Sequence, residues 1–117
     1  MIPDKARELG RLIGQSDEYA ALRRAQDRVA EAPELREKLE RLRQLADTLE
    51  RATIDGAAPS PTDVSSYDQL LSTIQADPQY QAVLAAQTNF DKLMIKVNDQ
   101  IMEGIRKGAT SSIITLG

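Results

Sequence analysis

The sequence predicts an all-α fold, a helical bundle of about five helices with a long C-terminal helix. Three observations carry that prediction. Apolar residues return every three or four positions through most of the chain. Proline, serine or aspartate stands where most of the periodic segments begin, as helix starts require. The apolar fraction, 41% of residues, is mostly Leu, Ala, Ile and Val, with no Trp and one Phe, which is the profile of helix packed on helix.

The longest segment covers residues 77–107. Asp77 is placed to cap it, and Pro78 suits the first helical position. Val83, Ala86, Phe90, Leu93, Met94, Val97, Ile101 and Ile105 then share one stripe. Thirty residues of helix reach about 45 Å, longer than a small globule is wide. Such a stripe needs cover from other helices of this chain or from a second copy. Val83, Phe90, Leu93, Met94, Val97 and Ile101 are therefore the candidate surface for self-association or for a partner.

The first helix is predicted over 3–14. Pro3 starts it, Asp4 and Glu8 lie near its positive end, and Ala6, Leu9, Leu12 and Ile13 form its apolar edge. Ser16 caps a second helix, in which Tyr19, Leu22, Ala25 and Val29 oppose Arg23, Arg24, Asp27 and Arg28. Pro33 interrupts it, because a proline disfavours helical geometry in the residue before. In 34–54, Leu35, Leu42 and Leu49 hold one heptad position and Leu39, Ala46 and Thr53 the other, with Leu45 widening the stripe. Glu34–Lys38, Glu37–Arg41 and Asp47–Arg51 are acid-before-base pairs four apart.

Residues 55–61, with one glycine and two prolines, form the clear loop between two helical halves. Ser60, Pro61 and Asp63 open a fourth helix that runs to about 76 and turns Val64, Tyr67, Leu70, Leu71 and Ile74 inward. The expectation is one α-helical domain over 1–108. The remaining 109–117 are uncharged and partly β-branched, and are expected to form a mobile tail unless a partner covers them.

Composition removes most chemistry. The chain has neither cysteine nor histidine, so no disulfide, thiolate nucleophile, histidine base or ordinary zinc site is available. No cofactor or metal is expected. The carboxylates on the long helix, Asp91, Asp99 and Glu103, sit among Lys92, Lys96 and Asn98 on a wetted face, which disfavours acid–base catalysis. Residues 1–54 hold eleven basic and eleven acidic side chains, and 55–117 hold four and seven. Nucleic acid is disfavoured by that balance, although Arg23, Arg24 and Arg28, with Arg36, Arg41 and Arg43, make one arginine-dense region. No apolar run approaches the roughly 18 residues of a membrane span, and the N-terminus is charged, so a cytoplasmic location is expected.

Particular residues resemble a known family. Ala6, Leu9, Gly10 and Ile13, then Ser16, Glu18 and Tyr19, then Ala25 and Pro33-Glu34-Leu35 are similar to the first half of the YlbF/YmcA family of small bacterial helical proteins. Asp77-Pro78 with Tyr80, Leu84, Ala85, Phe90 and Leu93 resembles its second half, and the likeness covers roughly 4–107. The resemblance implies an all-helical, often self-associating protein without enzymatic activity. It implies a regulator of competence, biofilm formation or sporulation, acting in a complex linked to the membrane-anchored endoribonuclease that matures messenger RNA. Iron–sulfur binding through cysteines, a property of some members, does not transfer to a chain without cysteine.

The combined expectation is a non-catalytic regulatory adaptor, forming a homodimer or higher homo-oligomer and meeting a further regulatory protein. A structural or chaperone-like helical oligomer and an RNA-binding accessory are the alternatives.

Overall fold

The computed structural model describes the backbone of residues 1–116 and the side chains of residues 1–110. Five helices follow one another: α1 (Ile2–Gly14), α2 (Asp17–Ala30), α3 (Pro33–Ile54), α4 (Pro61–Gln75) and α5 (Pro78–Leu116). The fold is all-α, and its last helix is by far the longest.

Local chemistry sets each boundary. The Ser16 hydroxyl accepts from the Tyr19 amide at 3.1 Å and opens α2. Ala32 is extended ahead of Pro33, so the chain breaks there and restarts as α3. Ser60 accepts from the Asp63 amide at the start of α4. Asp77 accepts from the amides of Gln79, at 2.8 Å, and Tyr80, at 3.3 Å, at the start of α5. The end of α3 is closed by Gly56, whose φ of 73° is left-handed. Its amide donates to the Thr53 carbonyl, and the Ala57 amide donates to the Ala52 carbonyl. That pair of bonds is the Schellman arrangement, and glycine adopts its backbone without a Cβ clash.

Packing is pairwise. α2 lies along α5 and α3 lies along α4. The two pairs meet only at the neighbouring corners α2–α3 and α4–α5, and the backbone of α1 approaches α2 alone. Rising numbers on α2 meet falling numbers on α5: Asp17 and Glu18 lie beside Lys92 and Lys96, and Tyr19 meets Phe90. The α2/α5 pair is therefore antiparallel. Its core is Leu22, Ala25 and Ala86, flanked by Ala82, Val83 and Phe90. The other fully covered apolar side chains are Leu35 and Leu45 on α3 and Ile74 on α4.

The result is drawn out, 70 × 37 × 21 Å, with a radius of gyration of 21.8 Å. A compact chain of this length has a radius near 13 Å. Accessible surface is 8915 Å², where a compact monomer of this mass exposes about 6,300 Å². Two-helix pairs joined at corners cannot close a single core.

One expectation changes. The acid–base pairs four apart on α3 do not close among the described residues. Ion pairs form instead mainly at three-residue spacing, as in Glu40–Arg43 and Lys5–Glu8, where the side chains reach one another over less than a turn. The backbone of α5 runs through Gly104 and Gly108 to Leu116. The side chains of 111–117, where most of the expected tail falls, lie outside the described residues.

Candidate interaction surface

The long helix is used differently along its length. In its first half, Val83 and Phe90 are half-buried against the Leu22/Ala25/Ala86 core, and Leu93 lines a groove with Ala21 of α2. These three residues of the candidate surface are engaged within the protomer. Met94 and Val97 are half-buried, and Ile101 is exposed. The stripe that reads as continuous in sequence is thus partly covered as far as Val97 and exposed at Ile101 and Ile105.

Past that point α5 runs on without α2. There α1 and α5 form an open fork of about 400 Å³, lined by Met1, Ile2, Ala6 and Leu9 of the α1 end, the stem of Lys5, and Ile101. Ile2 is 82% exposed and Ile105 57% exposed. Met102 and Ile95 extend the exposed apolar surface on the adjoining side of α5. Periodicity did not single out Ile95 and Met102. Their seven-residue spacing, a second seam beside the main stripe, was the available signal.

Charged groups stay on solvated faces. No polar or charged residue is buried among the described residues. The groove between α2 and α5 carries both signs, Asp17 and Glu18 opposite Lys92 and Lys96. Within the arginine-dense region, Arg23 is held more firmly protonated by a hydrogen bond with Tyr19 and by nearby Asp27. Arg43 is held charged by Glu40, whose carboxyl in turn is lowered by Arg43. Asp91 accepts from the Gln87 amide at 2.9 Å. Among the described residues no three carboxylates are grouped to hold a metal ion, and no helix is long and apolar enough to cross a membrane.

The profile of the family described as control of competence regulator ComK, YlbF/YmcA, matches residues 2–106. The chain belongs to the YlbF/YmcA family. That match spans all of α1 to α4 and α5 as far as Arg106, so it takes in both prongs of the fork. Neither the curated proteins nor the solved structures give a match. The YlbF/YmcA description is that of a regulatory family, in agreement with the resemblance read from Ser16-Asp17-Glu18-Tyr19 and Asp77-Pro78.

Proposed function

We propose that this YlbF/YmcA chain is a non-catalytic regulatory adaptor of the cytoplasm, which works by presenting helix faces to protein partners. The observation that carries the proposal is the open apolar surface at α1 and the second half of α5, built from Ile2, Leu9, Ile101, Met102 and Ile105. Isolated exposed apolar residues are ordinary, but a contiguous apolar patch on a soluble chain marks an interaction site. The carboxylates Asp91, Asp99 and Glu103 all lie exposed to solvent along α5.

Affinity capture with the tagged chain from lysate of its host, with and without ribonuclease, tests this. The expected result is a regulatory protein retained after ribonuclease and lost from an Ile101→Asp, Ile105→Asp variant. Retention of RNA, or of proteins that leave with it, would replace the adaptor by an RNA-binding accessory. In that case binding would weaken steeply with salt.

A further inference from the structure

The two helix pairs are joined by very little. We propose that the α3/α4 hairpin swings as a rigid unit on two proline joints, Ala32-Pro33 and Asp77-Pro78, and is latched when Lys38 of α3 pairs with Asp77 of α5. The inference goes beyond the adaptor reading, because it concerns motion within one chain.

The first observation is how the pairs are connected. Among the described residues α2 approaches α3 and α4 approaches α5, and no other contact spans the two pairs. Both crossings are bends of two residues, 31–32 and 76–77. Pro33 and Pro78 each open the next helix, and a proline has no N–H to carry the helical ladder across a bend. Each pair, by contrast, is held by buried apolar side chains. They are Leu22, Ala25 and Ala86 in one, and Leu35, Leu45 and Ile74 in the other. Rigid bodies linked by a few element-terminal residues are the parts of a hinge.

The second observation is the arm. α5 is about 58 Å long and α3 about 33 Å, so laid end to end they need about 90 Å. The long axis of the molecule is 70 Å. The hairpin therefore leaves the line of α5 at an angle. Glu50 stands about 25 Å along α3 from Pro33, so a turn of about 30° displaces it by about 13 Å.

The third observation is what lies between the arms. The first turns of α3 and α5 border a crevice of about 410 Å³, lined by Pro33, Glu34, Leu35 and Lys38 on α3 and by Asp77 and Gln79 at the start of α5. Lys38 and Asp77 are both half-buried and carry opposite charge. Yet every ion pair among the described residues joins groups three or four apart in sequence. Turning α3 toward α5 narrows the crevice and brings the Lys38 ammonium to the Asp77 carboxylate. Partly buried charges are screened less than those on an open face. The cap of α5 survives that contact. Asp77 Oδ1 accepts both the Gln79 and the Tyr80 amides, which leaves Oδ2 for Lys38.

One strut resists the turn. The Gln81 side-chain amide donates to the Gln75 carbonyl at 3.0 Å, the one side-chain hydrogen bond among the described residues that joins two helices. It ties the start of α5 to the end of α4 across the second joint.

The chain holds no cysteine, so pairs of engineered thiols carry nitroxide labels at chosen sites. Glu50, Ser72 and Gln87 are all exposed. Double electron–electron resonance compares Glu50→Cys with Gln87→Cys, which spans the joints, and Glu50→Cys with Ser72→Cys, which stays within the hairpin. Labelled chain is diluted with unlabelled chain, so that only distances within one protomer are read. Circular dichroism confirms that each variant is folded. The expected result is a spanning distribution at least about twice as wide as the hairpin one. Lys38→Glu sets like charge against Asp77 and should shift the spanning distances longer, whereas Lys38→Arg should leave them in place. Gln81→Ala should broaden them further. A spanning distribution as narrow as the hairpin one, or one that Lys38→Glu leaves unmoved, would overturn the inference. An equal shift with Lys38→Arg would overturn it too, since packing and not charge would then set the angle.

Discussion

Tyr19 on α2 and Phe90 on α5 meet with ring centroids 5.7 Å apart and planes inclined by 53°. Phe90 is the sole phenylalanine of the chain. It lies at the edge of the Leu22/Ala25/Ala86 core. Tilted aromatic pairs contribute beyond the area they bury.

Phe90→Ala removes that pair and the packing of the ring on the core. Because Phe90 is half-buried, the expected cost is about 2 kcal/mol, below that of a fully buried phenylalanine. The melting temperature should fall by roughly 10 °C in thermal melts followed by far-ultraviolet circular dichroism. Phe90→Asp should unfold the α2/α5 pair outright. A folded Phe90→Asp chain with altered mass would instead make Phe90 an interface residue.

Ala25 and Ala86 are both buried where α2 crosses α5, with Ala82 beside them. Small side chains let two helices approach closely, and a larger one at a buried position of that seam pushes the helices apart. Ala25→Leu and Ala86→Leu should each cost about 1 to 3 kcal/mol through overpacking. The two changes touch the same seam, so the double variant should depart from additivity, which denaturant titration of the four proteins measures.

The sequence was informative about elements and less so about assembly, for a physical reason. Caps at Ser16, Ser60 and Asp77 and the breaks at Pro33 and Gly56 are local events, so residue chemistry determines them. The apolar stripes of α3 and α5 show that each helix has a buried face, but periodicity is the same whether the cover comes from within the chain or from outside. Val83 and Ile101 lie on one stripe, yet Val83 packs on the α2/α5 core and Ile101 is exposed. Only the lengths of α1 and α2 and their angle to α5 make that division, and those are tertiary facts. Periodicity does not single out Ile95 and Met102, because Asp91 and Asn98 interrupt their seam.

Glu40 and Arg43 form a two-point ion pair on α3, with the Arg43 Nη2 nitrogen 2.7 Å from Glu40 Oε1 and Nε 3.3 Å from Oε2. The guanidinium lowers the Glu40 carboxyl below its usual 4.5. Any stabilisation from this shift is full above the ordinary carboxylate value and fades as pH falls through the lowered one. Both groups are exposed, so solvent screens the pair heavily. Glu40→Gln should leave the melting temperature at neutral pH within experimental error. The Glu40 carboxyl, followed by side-chain NMR during an acid titration, should titrate below 4.5 in the parent chain and return toward it in Arg43→Gln.

Two glycines of this chain should respond to alanine with opposite sign. Gly56 holds a φ of 73° at the end of α3, where a Cβ is strained even though open space surrounds it. Gly56→Ala should cost about 1 kcal/mol, and Gly56→Asn less, since asparagine tolerates the left-handed region. Gly104 sits inside α5 with nothing within 4 Å of an added Cβ. In a helix interior alanine is favoured over glycine by about 1 kcal/mol. Gly104→Ala should therefore raise the melting temperature in thermal melts followed by far-ultraviolet circular dichroism, because open space receives the added methyl.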